Sequence, residues 1–393
     1  MTTCKNISCN FSIETPLNKY THTIYTENNK VYAIDNSNNK GIISGTLNQV
    51  LSSTAKSGNS ILIKNGNYNL TTFKPPANIK IKGESENTVI NASDVPYLIY
   101  LKSNSSISNL TFEHTGRTKT IYVSGQQTNW KVDNNYFIDS DIAVIVENLT
   151  SSNKPTSGYG QITNNKGLHS KLSTLQGTVH NLLSGNKFYD KTGSEIIDFN
   201  YNTHYNVVEN NEFINKQGYS LDQEVIDMVG GNSFTNSNNI VRNNKIVGNF
   251  QTAIRPAKSA VNNTITDNYI EFKSGNTQNI AAIYLYGDGG FSTPKGNKIN
   301  NNTIIGGKVG IELSGSETNE IKNNNISNTI KGISLVKKSS SGYGSSISPK
   351  NNTISKNIIH NIDYGIYTKS SPNNTITKDN IITNYRIKDI YNA

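Results

Sequence analysis

One motif, Asn-x-(Ile/Val)-x-x-Asn-x-(Ile/Phe), recurs down most of the chain and constrains its fold more than any other feature. Clear copies start at Asn181, Asn206, Asn239, Asn263, Asn297, Asn319, Asn352 and Asn374, with weaker ones at Ser105, Trp130 and Gly160. Successive starts lie roughly 21 to 34 residues apart, the length over which one supersecondary unit stacks on the next. Within each copy the aliphatic residue alternates with polar neighbours, as a short strand with one buried face requires. An Asn then turns the chain, since Asn tolerates left-handed backbone geometry and its amide can bond to its own copy in the coil above. Stacked Asn, Ile, Val and Phe describe an all-β, single-stranded parallel β-helix. The Leu-dominated consensus of leucine-rich repeats is missing, and so is the periodicity of helical repeats.

Only 34% of residues are hydrophobic and 17% charged, a balance that elsewhere signals disorder. A β-helix needs only a narrow column of aliphatic side chains, so this fraction suffices for one solenoid. The expected layout is an N-terminal extension over 1–44 packed on the solenoid, a capping helix and first coil over 45–75, and coils over 76–393. The Ser/Gly stretch Ser339 to Ser348 reads as a loop leaving one coil.

Leu47 to Ala55 is amphipathic, with Leu47, Val50 and Leu51 on one helical face. A helix there would cover the open end of the solenoid, where strand edges and core are otherwise exposed. It is followed by "NSILIKNGNYNL" (59–70), whose Asn65-Gly66 is a strong turn signal. This order, helix then alternating strand then Gly-x-Tyr, resembles the start of the pectin-lyase-like superfamily of right-handed parallel β-helices. The resemblance runs over about residues 45 to 390 and implies the fold. That superfamily spans lyases, hydrolases, epimerases, phage tailspikes and inert surface proteins, so it does not choose among functions.

Cys4 and Cys9 are the only cysteines, too few ligands for a zinc site and read as plain thiols or one local disulfide. No apolar segment after Met1 reads as a signal peptide, and no run reaches membrane-spanning length. The expectation is an extracellular or virion-associated protein, without membrane insertion, that either has already been processed or leaves the cell by another route. The net charge of +9 asks for an acidic partner. Lys is scattered, with no basic run or aromatic platform for nucleic acid, so an anionic polysaccharide is the better match.

Aligning the coils exposes a second strand in each: "EIIDF", "EVIDM", "TAIRP", "AAIYL", "VGIELSG", "KGISL" and "YGIYT". If each Ile points inward, the next residue points outward. That outward column reads Asp198, Asp227, Arg255, Tyr284, Glu312, Ser334, Tyr367. Carboxylates stacked about 4.8 Å apart repel, so a cation or proton must intervene. A structural charge ladder, with Arg255 neutralising Asp227, is one reading. The other is carbohydrate chemistry. β-Elimination from a uronic acid needs a cation on the sugar carboxylate, a base for the C5 proton and an acid for the leaving oxygen. Hydrolysis needs two carboxyl groups.

"DQEVIDMVGGN" (222–232), followed one coil later by "AIRPAKSAVNNTI" (253–265), resembles the active region of family 6 polysaccharide lyases. That resemblance implies that Asp222 and Glu224 help hold calcium (Ca2+) and that Arg255 is the acid. The family's basic Lys falls on Val229, so Lys258 on the adjacent coil or His204 after Asp198 would stand in. On this reading Arg255 binds the uronate carboxylate or acts as acid, and Tyr284 or Lys258 completes proton transfer. Replacing Arg255 by Ala then abolishes turnover with little effect on stability. Glu312, His204 and Trp130, the single Trp, are candidate sugar contacts, although Trp130 also suits packing at a loop base and His204 a surface turn. A polygalacturonase-type hydrolase is disfavoured, because its Arg-x-Lys companion appears only as Arg386-Ile387-Lys388 on the last coil.

The leading expectation is a β-helix that binds and cleaves an acidic polysaccharide as a monomer, most simply a lyase. The alternative is a non-enzymatic fibre, adhesin or surface subunit, trimeric or filamentous.

Overall fold

A computed structural model describes residues 19–92, 94–114, 118–148, 157–216, 220–231, 233–273, 279–287, 293–337 and 347–393, with the side chains of 42, 157 and 220–222 also outside that set. Cys4, Cys9 and most of the Ser339–Ser348 stretch lie outside the described residues.

The first aliphatic residue of each motif copy before Asn374 becomes the centre of a three-residue strand, and these strands stack in register. Ile162 pairs with Leu183, then Val208, Val241, Ile265, Ile299, Ile321 and Ile354. All are completely buried, and full burial of each stabilises the fold by about 1.5–3 kcal/mol relative to exposure. This ladder forms a 16-stranded sheet, and a 22-stranded sheet takes two strands from most coils. A third, five-stranded sheet of two-residue strands runs from Ser157–Gly158 to Ala260–Val261. The core is the column between them, as the alternation predicts.

The Asn residues form two buried ladders. In one, from Asn181 to Asn374, each side-chain amide and backbone N–H donates to the Oδ1 of the Asn in the next coil, as between Asn206 and Asn239. The second runs from Asn135 to Asn380 by the same bonds. The turn itself is made one residue earlier than expected. Asn210, Asn243 and Asn301 take the left-handed conformation (φ 55° to 57°) just before the ladder Asn. The division of labour is physical: one residue supplies positive φ, and the next supplies the buried amide that satisfies backbone groups at the corner.

The helix spans Leu47–Thr54 and buries Leu47, Val50 and Leu51 as expected. Thr46 caps it by accepting from the Gln49 N–H, while the Gln49 side chain accepts from the Thr46 N–H. Ahead of it, His22–Glu27, Lys30–Asp35 and Lys40–Gly45 form an antiparallel meander whose first strand adds in parallel to Ser60–Ile63. The sequence pattern did not announce these strands. Together helix and meander cover the N-terminal edge. Among the described residues no helix is long and apolar enough to cross a membrane.

Trp130 occupies the place of the repeat Asn and is 1% exposed. Its indole lies where a side chain at Gly160 would have to be, since a Cβ there would fall 2.0 Å from the ring. Trp130 is therefore a core residue, and the sugar contact expected of it is excluded by burial.

Asn244 accepts from both the N–H and the amide of Asn211 and donates to the Val208 carbonyl. Asn244→Ala strands these buried groups, and chemical denaturation should show a loss of about 2–4 kcal/mol.

Candidate functional site

The 22-stranded sheet bends between its two strands in each coil. At the bend the residue before the core Ile is buried too: Ile196 with Ile197, Val225 with Ile226, Ala253 with Ile254. In later coils this position is Gly, and at Gly310 a Cβ would come within 2.5 Å of Ile326 and 2.6 Å of a backbone oxygen. Two successive inward residues break the alternation. The residue two before the Ile therefore joins the residue after it on one outer strip, two side chains wide.

The expected column is present in register. Asp198 pairs with Asp227, Asp227 with Arg255, Tyr284 with Glu312, Glu312 with Ser334, and Ser334 with Tyr367. Beside it runs the second column, which the sequence reading missed and which contributes Lys171, Glu195 and Glu224. The six charged groups form one cluster across successive rungs. The Arg255 guanidinium grips Asp227 bidentately, Nε to Oδ1 at 2.9 Å and Nη2 to Oδ2 at 2.7 Å, and reaches Glu224 Oε1 at 2.5 Å. Lys171 lies 3.2 Å from Glu195 Oε2 and 3.6 Å from Asp198 Oδ2. Asn200 donates to Asp198 Oδ2 at 2.8 Å.

Burial dominates the electrostatics. Glu224 and Asp227 are only 1% and 4% exposed. Burial pushes the Asp198 carboxyl up to about 6, with Lys171 opposing and Asp227 reinforcing the rise. It pushes Glu224 up to about 7 against the pull of Arg255. Asp227 is raised as well, chiefly by burial and against Arg255. The Arg255 guanidinium is buried, which opposes its charge, yet Asp227 and Glu224 hold it firmly protonated. Tyr284 is raised by burial and then by Glu312, so its phenol stays protonated. It packs with Ala281 and Val309 in a small apolar cluster.

The donor set fits a divalent cation. Oxygens of Glu195, Glu224 and Asp227 lie within 4.8 Å of one another, as ligands about 2.3–2.6 Å from a shared calcium would. Glu224 Oε2 is buried without a hydrogen-bond partner. Four carboxylates face two cations in the cluster, leaving two formal negative charges for such an ion when all are ionised. Asp222, expected as a ligand, lies in the strand Ser220–Val229, and its side chain is outside the described residues.

The other candidates are placed elsewhere. His204 sits in the third sheet, half-buried, with Nδ1 2.8 Å from Ser237 Oγ, and burial lowers its pKa. Lys258 is in the left-handed turn (φ 54°) that follows the Arg255 strand, where its N–H bonds the Tyr286 carbonyl. Glu312 is in the column beside Tyr284. Signals for the missed residues were present: Glu195 opens the segment "EIIDF", and Lys171 precedes "LST" one coil earlier. Strict alternation assigned neither to the outer strip.

Residues 281–391 match the family model described as right handed beta helix region. No curated protein sequence matches the chain. Among solved structures it is similar to a PL6 family polysaccharide lyase from Pseudopedobacter saltans, with 15% identity, TM-score 0.57, and coverage of 86% of this chain and 92% of the other. It is similar to the PL6 family alginate lyase AlyGC at 14% identity and TM-score 0.57, covering 86% of this chain and about half (52%) of that one. The catalytic domain of a GH87 α-1,3-glucanase gives 14% identity, TM-score 0.53, and coverage of 88% and 67%. At such identities the likeness is one of fold: this chain is a right-handed parallel β-helix.

Arg255→Ala leaves two buried carboxylates without their cation. The ion pairs thus replace the expectation of unchanged stability with a loss of about 3–5 kcal/mol by denaturation. The raised carboxyls set a pH trend. Asp198 and Glu224 bind protons more readily folded than unfolded, so their contribution to stability falls as pH rises from about 4 to about 7. Glu224→Gln should flatten that slope in denaturation measured at intervals across the window.

Proposed function

We propose that the protein binds an acidic polysaccharide along this strip and cleaves it by β-elimination. The observation that carries the reading is the concentration of six charged groups on neighbouring rungs, two of them almost fully buried carboxylates. Burying charge is expensive unless it is paired. Elsewhere the same outer column holds Tyr100, Tyr122, Ile145, Thr174 and Ser334, so the fold does not require charge there.

In this reading Arg255, the most exposed cation of the cluster at 26% of its side chain, meets the uronate carboxylate and lowers the cost of charge at C5. Asp198, with a carboxyl near 6, takes the C5 proton. The C4–oxygen bond breaks as the C4–C5 double bond forms, and Tyr284 or Lys258 returns a proton to the leaving oxygen. Lys171 holds Asp198 in place and charged. A calcium ion held by Glu195, Glu224 and Asp227 would supply further positive charge toward the sugar carboxylate. On this reading the protein works outside the cell or on a virion, as a monomer. Polysaccharide lyases of the PL6 family share this fold, which is compatible with the reading.

A second reading is hydrolysis. Asp198 and Asp227 stand on adjacent rungs of one column, and hydrolysis calls for two neighbouring carboxyl groups.

The test incubates the protein, with and without calcium, against alginate, pectate and hyaluronan. Ultraviolet absorbance from unsaturated ends is expected, falling about 100-fold or more in Asp198→Asn. New reducing ends without absorbance would assign hydrolysis. Neither signal, together with a trimer or filament by solution mass, would make this a structural β-helix.

A further inference from the structure

The outer strip carries two more clusters, one on each side of the charged centre, and both combine stacked tyrosines with lysines. On the N-terminal side, Tyr97 and Tyr122 stack at 4.0 Å between centroids, and Tyr100 meets each edge-on at 5.7 and 5.3 Å. Lys74 lies over the Tyr100 ring at 4.7 Å and Lys119 over Tyr97 at 5.3 Å. On the C-terminal side, Tyr367 stacks on Tyr391 at 5.4 Å and meets Tyr364 edge-on. Lys331 sits 3.7 Å above the Tyr367 ring.

These residues use the same two columns as the charged centre. Tyr100, Tyr122, Tyr367 and Tyr391 each follow the core Ile or its equivalent, whereas Tyr97, Lys119, Lys331 and Tyr364 each stand two before it. Tyr122 is three rungs from Asp198, roughly 14 Å. Arg255 is four rungs from Tyr367, roughly 19 Å. Core packing does not call for them, because all of these side chains are on the outer face and partly open to solvent. Lys74, Lys119 and Lys331 have no ion pair with a described carboxylate, and each is held against a ring face. An ammonium fixed in this way has lost part of its freedom but none of its charge, and stays available to an anion. Tyrosine adds apolar surface and a hydroxyl, the pair of properties a sugar ring matches.

We propose that the two tyrosine–lysine clusters are outlying subsites that hold an anionic polysaccharide lying along the solenoid axis, across the charged centre. This deepens the reading of the protein as acting on an acidic polysaccharide and rests on it. Tyr122 to Tyr367 spans nine rungs, roughly 43 Å. Affinity therefore rises with oligosaccharide length until both clusters are engaged, then levels off.

The experiment uses the full chain in affinity gels containing alginate, pectate, hyaluronan or neutral dextran, and in calorimetry with uronate oligomers of increasing length. Wild type should be retarded by at least one uronate polymer and not by dextran. Tyr122→Leu and Lys331→Gln should each weaken binding of long oligomers about tenfold. Neither should change the melting temperature or the handling of short oligomers. Lys119→Gln repeats the test with every tyrosine in place. Wild-type binding of long oligomers in all three variants would overturn the proposal, as would equal retardation by dextran or none by any uronate polymer. Binding that depends on these residues without any cleavage would leave the subsites standing and remove the lyase. Cleavage of long chains at wild-type rate in the variants would keep the lyase and remove the subsites.

Discussion

Among the described residues the strands of successive coils hydrogen-bond in parallel, so each ladder residue has its own counterpart about 4.8 Å away along the axis. That constraint governs the rest. An aliphatic residue gains from it, because Ile over Ile fills the column without changing shape from rung to rung. Asn gains more, because its amide donates and accepts along the same direction and satisfies backbone groups at a buried corner. Aromatic side chains stack, as Phe112 does on Phe137 at 5.4 Å.

Charge is the class of side chain that loses by this arrangement. A carboxylate stacked on a carboxylate is a repulsion built into the register, and burial removes the water that would screen it. The chain meets that difficulty at Glu195, Asp198, Glu224 and Asp227 with two cations placed by the same register. Arg255 falls one rung beyond Asp227, and Lys171 reaches Glu195 and Asp198 from the side. The match is incomplete, since burial still raises Asp198, Glu224 and Asp227 and leaves Glu224 Oε2 without a partner. With all four carboxyls ionised, the cluster keeps two formal negative charges in excess beside a partly exposed guanidinium.

The bend in the larger sheet turns this cluster into a surface with width. Without two successive buried residues in each coil, Lys171 and Glu224 would not come beside the Asp198 column, and the outer strip would be one side chain wide. The same bend places Lys119 and Lys331 next to tyrosines on either side. A single backbone feature, repeated along the axis, therefore organises the centre and its flanks.

The repeat alone determined the parallel β-helix, the buried Asn ladders and the outward column from Asp198 to Tyr367, and the amphipathic stretch ahead of it determined the capping helix at Leu47. These follow from period, register and side-chain type, which a sequence displays directly. Tertiary structure decided what depends on how coils bend and pack. It placed the turn one residue before each ladder Asn, because only backbone dihedrals separate the bending residue from the bonding one. It took Trp130 into the core over Gly160, an approach between residues 30 apart in sequence that no local pattern encodes. It added Lys171 and Glu195 to the site and moved His204 to the third sheet, because a break in alternation decides which residues share a face.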